Sequence, residues 1–128
     1  MLVKAKEIYN LGIIEIYSED LSIEKNSNPN IPIQYRNRNK LTFDEANNIA
    51  EEMGNGWRLP TMKEILFLQE YDDLKILEFD SDAYWVSSGL EEDESMGEYL
   101  AWAYYFSMKR RGGIPKTERI KARLVRSI

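Results

Sequence analysis

The chain contains no cysteine and no histidine. Without cysteine there is no disulfide, no thiolate metal site and no cysteine nucleophile. Without histidine it loses the commonest metal ligand and the commonest general base, which argues against hydrolytic or metal-assisted chemistry. Long apolar runs are missing too. No stretch approaches the length needed to span a membrane, and residues 1–7 carry charge where a secretory leader would need an apolar run. Read together, these absences point to a cytoplasmic protein with no membrane association, no cofactor and no bound metal.

What is present suits a globular fold. The 128 residues are 43% hydrophobic, 12% aromatic and 30% charged, which predicts one domain over residues 1–128 with a core large enough to fold unaided. The net charge of −5 is unevenly spread. Residues 64–98 hold twelve acids and one base, Lys75, whereas residues 109–128 hold eight bases and one acid, Glu118. Mutual neutralisation across the folded surface is the ordinary reading; a basic patch for phosphate or nucleic acid is the sharper one.

Residues 2–9 and 12–17 read as one or two opening strands, the second β-branched and aromatic. Residues 26–32 contain two prolines and three asparagines, the chemistry of an exposed loop. Arg36, Arg38 and Lys40 then alternate with asparagines, as on a solvated strand edge. Thr42 and Glu45 form a capping box, followed by an apolar stripe of Phe43, Ala46, Ile49, Ala50 and Met53. A second box, Thr61 with Glu64, opens a helix with Ile65, Leu66, Phe67 and Leu68, whose broader apolar face predicts deeper burial, ending near Tyr71. The adjacent Asp72 and Asp73 there read as a solvated pair.

Between the helices lies Gly54-Asn55-Gly56-Trp57-Arg58-Leu59-Pro60-Thr61. Gly54 or Gly56 would end the first helix, Pro60 and Thr61 would start the second, and Trp57 and Leu59 would fill the space between helices and sheet. Arg58 is expected in a buried or half-buried ion pair. Residues 84–88 and 100–108 read as strands, with Trp102, Tyr104, Phe106 and Met108 sharing a core face. Residues 89–98 form an acidic connection that lacks the spacing of a calcium loop. Residues 109–116 read as a Gly- and Pro-rich turn, and Ile120, Ala122, Leu124, Arg126 and Ile128 as one face of a last strand, with an ion pair for Arg126.

These pieces in this order, Gly-Trp57-Arg58-Leu59-Pro60-Thr61, Tyr84-Trp85-Val-Ser-Ser, Ala-Trp102 and Arg-Leu-Val-Arg126, resemble the bacterial Lcl C-terminal domain, a family of unknown function, and the related Fibrobacter-succinogenes major paralogous domain. The match runs from about Ile8 to the C-terminus. It implies an α+β, C-type-lectin-like fold with two helices flanking antiparallel sheets and the chain ends close together. Formylglycine-generating enzymes share that scaffold and an Arg-Leu-Pro-Thr helix opening, but their chemistry depends on cysteines absent here.

The functional expectation is therefore a non-enzymatic ligand- or protein-binding domain for an unknown protein or small ligand. Tyr99, Arg110 and Arg111, in the aromatic C-terminal half, are its candidate binding residues. A structural or assembly module in a larger complex is the alternative. Contact with phosphate or nucleic acid through the basic C-terminal segment is a weaker third.

Overall fold

The computed structural model describes residues 7–24, 30, 37–90 and 96–128. Most of the loop at 26–32, residues 2–6, Arg36 and the acids at 91–94 lie outside the described residues. The architecture is mixed α+β: two helices and two three-stranded antiparallel sheets, with a short two-stranded ribbon. Strands β1 (Ile8–Asn10), β2 (Ile14–Tyr17) and β8 (Val125–Ser127) form the first sheet in the order β1-β2-β8. The first and last strands described thus flank the same partner. The ribbon pairs β3 (Ile23–Glu24) with β4 (Asn37–Arg38). Strands β5 (Ala83–Trp85), β6 (Leu100–Tyr105) and β7 (Arg110–Pro115) form the second sheet in chain order.

Both helices begin as their sequences require. In α1 (Phe43–Met53) the Thr42 hydroxyl accepts the Glu45 amide at 3.2 Å and the Glu45 carboxylate accepts the Thr42 amide at 2.9 Å. In α2 (Met62–Asp73) Thr61 and Glu64 do the same at 3.3 and 2.8 Å. Each box satisfies amides that the first turn leaves without partners. Helix α1 stops at Gly54, whose φ of 63° turns its amide back onto the Ala50 and Glu51 carbonyls. Helix α2 stops without a glycine. Lys75 takes a φ of 58°, and the Ile76 amide reaches the Tyr71 carbonyl at 2.9 Å.

The β5-β6-β7 sheet is sandwiched between two cores. Directly paired residues of an antiparallel sheet share a face. Trp85 with Ala103, and Ala101 with Ile114, accordingly face the cluster containing Ala46, Ile49 and Ala50 of α1 together with Trp57 and Leu59. Tyr84 with Tyr104 faces the cluster containing Met62, Ile65 and Leu68 of α2 together with Ile14, Ile16 and Val125. Trp85 is fully enclosed, and its ring N–H donates to the Leu41 carbonyl at 2.7 Å.

Several expectations need correction. Residues 109–116 are not a turn: the hairpin turns at 106–109, where Lys109 has a φ of 52°, and the glycines lie within β7. A Cβ on Gly113 would stand 2.9 Å from the Met96 sulfur, so a side chain there would displace the end of Met96. Strand β6 therefore ends at Tyr105. Phe106 is still buried, stacked on Phe79 at 3.9 Å, but Met108 is 55% exposed and outside the core. Ala101 and Ala103 are buried instead, so β6 uses both faces. The broad apolar face expected of α2 is narrower, because Leu66 is exposed. The C-terminal segment is not one alternating strand: Lys121, Ala122, Arg123, Leu124 and Val125 are all buried, while Ile128 is exposed. Lys121 continues the β5 edge, its amide bonded to the Ala83 carbonyl and its carbonyl to the Trp85 amide. Arg38 is not solvated either: it is half-buried against Glu45.

Trp85→Phe keeps an aromatic ring in the core but removes the donor to Leu41 and leaves unfilled volume. It should cost about 1–3 kcal/mol, read as a lower denaturant midpoint at unchanged slope. Trp102→Phe, at a half-buried position, should cost less by the same measurement.

Candidate functional site

The Gly54-to-Thr61 junction is held from both sides. The main chain of Arg58 exchanges two hydrogen bonds with Val125 on the free edge of β8, each 2.9 Å. Its side chain forks onto Glu64, Nη1 to Oε1 at 2.7 Å and Nη2 to Oε2 at 2.8 Å, and also donates to Ser127. Burial works against ionisation of Glu64, but hydrogen bonds from Arg58 and Thr61 outweigh it and hold the carboxyl below its usual 4.5. The Glu64 hydrogen bond raises Arg58 in turn. Beside this pair, Trp57 stacks on Tyr17 at 4.2 Å, and the Arg126 guanidinium lies over the Trp57 ring at 4.6 Å while donating to Glu15 at 3.1 Å. Arg58 and Arg126, with Trp57 between the sheet and α1, are thus engaged in structure.

Tyr99, Arg110 and Arg111 are exposed but do not form one surface. Tyr99 lies at the β6 entrance, where its carbonyl accepts the Lys116 amide, whereas Arg110 pairs with Tyr105 at the far end. Six strand residues separate those ends, roughly 20 Å. Arg110 and Arg111, being adjacent on a strand, point to opposite faces. Arg111 stacks over Trp102 at 5.2 Å. The basic C-terminal segment is likewise dispersed into pairs: Lys109 with Asp73, Arg119 with Glu45, Lys121 with Asp80, Arg123 with Asp20 and Arg126 with Glu15. That dispersal disfavours a continuous basic patch for nucleic acid. Asp72 and Asp73 are committed locally, Asp72 accepting the Phe79 amide and Asp73 the Gln69 amide group. No group of three or more metal-ligating side chains occurs among the described residues, and none of their helices is long and apolar enough to cross a membrane.

The larger concavity lies elsewhere. A cleft of about 590 Å³ opens between the turn after β2 and the connection from α2 to β5. Its size falls within the range of small-molecule sites. Arg123 forms part of its lining and is 94% buried by side-chain area, at 6% exposed. Its Nε and Nη2 donate to Asp20 at 3.1 and 2.8 Å, Nη2 also reaches the Glu78 carbonyl at 2.9 Å, and the guanidinium lies over Phe79 at 4.2 Å. Nη1 has no hydrogen-bond partner among the described residues. The Tyr84 hydroxyl donates to Asp20 and accepts the Asp80 amide, each at 2.9 Å. Burial, then the nearby Asp20 charge, push this phenol far above its ordinary range, so it stays a neutral donor. Lys121, 8% exposed, closes the network on Asp80, with Asp20 and Asp82 near 4 Å. A smaller hollow of about 320 Å³ lies at Phe43, Trp102 and Lys116.

Sequence reasoning missed Asp20, Lys121 and Arg123. The available signal was two cations inside the apolar run from Ile120 to Val125, a pattern that demands buried carboxylates. No known family model matches the chain, and no curated protein sequence matches it.

Arg123→Ala should cost about 3–5 kcal/mol, because it leaves Asp20 buried without its cation; pairing Arg123→Met with Asp20→Asn should recover part of that loss in equilibrium unfolding. For the junction, Arg58→Ala should cost about 1–2 kcal/mol at neutral pH. Because Glu64 is depressed in the fold, its stabilisation is complete above the usual 4.5 and lost as pH falls through the lower folded value. Glu64→Gln should therefore flatten the acid side of a melting-temperature profile.

Proposed function

We propose that this chain is a non-enzymatic binding domain of C-type-lectin-like fold, akin to the Lcl C-terminal domain, whose ligand site is the cleft at Arg123. The observation that carries the reading is the cleft itself: a ligand-sized concavity lined by the paired Asp20 and Arg123, with the Tyr84 hydroxyl holding Asp20 from the core side. Support for the lectin-like scaffold comes from the two helices, the two antiparallel sheets and the pairing of first and last strands with β2. Support for binding over catalysis comes from the chain's lack of histidine and cysteine, which leaves the cleft without an imidazole base or a thiolate nucleophile. The cleft replaces Tyr99, Arg110 and Arg111 as the proposed surface, since those three do not converge.

Amide NMR spectra of the uniformly labelled full chain, recorded against a library of small polar fragments, test this. Binding fragments should shift amides at residues 18–22 and 75–80 and at Arg123. Shifts confined to Tyr99, Arg110 and Arg111 would reject the cleft in favour of the hairpin.

A further inference from the structure

The chemistry left unspent in the cleft defines what it can hold. Its lining includes four carboxylates, Glu19, Asp20, Glu78 and Asp80. Two are consumed by the fold: Asp20 serves Arg123 and Tyr84, and Asp80 serves Lys121. Glu19 and Glu78 are exposed, and their carboxylates carry no hydrogen bond or ion pair among the described residues. They border one cleft because Arg123 ties their loops together, bonding the Asp20 carboxylate beside Glu19 and the main-chain carbonyl of Glu78. On the donor side, the Lys75 ammonium is equally uncommitted, whereas the Arg123 guanidinium is spent on Asp20 and the Glu78 carbonyl and its remaining Nη1 is enclosed. The walls add apolar surface from Tyr9 and Ile76, 40% and 62% exposed.

Two spare carboxylates and a spare ammonium are complementary to a ligand bearing both signs. Carboxylates favour a cationic amine, and Arg and Lys donors favour a carbonyl or carboxylate oxygen. We propose that the cleft binds an α-ammonium group with an oxygen acceptor on the neighbouring carbon and an apolar side chain. That is the chemistry of a free apolar amino acid and of a peptide amino terminus. In this arrangement Glu19 and Glu78 take the ammonium, Lys75 takes the oxygen, and Tyr9 and Ile76 cover the side chain. The inference rests on the cleft being the ligand site.

Three probes, L-leucine, the tripeptide Leu-Gly-Gly and N-acetyl-L-leucine, are titrated into the full chain with amide shifts as the readout. Leucine and the tripeptide should shift the cleft amides, and the acetylated compound, which lacks the ammonium, should not. Tighter binding of the tripeptide assigns the site to peptide ends; tighter binding of leucine assigns it to free amino acids. The double variant Glu19→Gln, Glu78→Gln should weaken binding at least about tenfold with an unchanged melting temperature, while Glu51→Gln on the exposed face of α1 should change neither. Equal cleft shifts from N-acetyl-leucine would overturn the inference and leave the cleft standing as a binding site. Silence from all three probes, or full binding by the double variant, would overturn it as well; shifts that fall only outside the cleft would remove both readings.

Discussion

Two buried cations govern this fold. Lys121 and Arg123 lie within the segment joining β7 to β8, and both side chains are less than 10% exposed. A charge so placed is costly unless a carboxylate meets it with good geometry. Asp20 comes from the turn after β2 and Asp80 from the connection after α2, so neutralising the two cations draws three distant parts of the chain together. Tyr84 completes the arrangement from β5. The loops that shape the cleft are therefore positioned by the same pairs that make the C-terminal segment buriable.

Around that network, the β5-β6-β7 sheet separates two differently built cores. The face toward α1 holds Trp85 against the small Ala101 and Ala103, and size complementarity fills the space. The face toward α2 is aromatic: Tyr84, Tyr104, Phe106 and Phe79 meet edge to face or stacked, at 3.9 to 5.5 Å. The Gly54-to-Thr61 junction crosses between these layers and is anchored to β8 through Arg58. With its residues so occupied, the junction supports the scaffold, whereas the cleft is bordered by groups whose bonding capacity the fold has not used, Glu19, Glu78 and Lys75.

That division explains why the cleft was hard to foresee. Its members are far apart in the chain, Asp20 and Arg123 by 103 positions, and each charged one taken singly looks like an ordinary surface charge. Tyr99, Arg110 and Arg111 were the expected surface because they lie in the aromatic C-terminal half. The β6-β7 hairpin instead sets Tyr99 and Arg110 at opposite ends and turns Arg110 and Arg111 to opposite faces. Exposure and residue type were legible there, but convergence was not.

What the amino-acid order determined alone is local. Both capping boxes, the stripe of α1 and the helix stop at Gly54 depend on contacts within three or four residues, where chain geometry leaves few alternatives. An ion pair for Arg58 was legible as well, but its partner, Glu64, six residues on across a helix start, was identified only by the structure. Only the tertiary structure decided that Gly112 and Gly113 lie in a strand, because strand pairing with Trp102 and Ala103 overrode their turn preference. It alone decided which charges were buried, since the cost of enclosing Lys121 and Arg123 depends on carboxylates supplied by other parts of the chain.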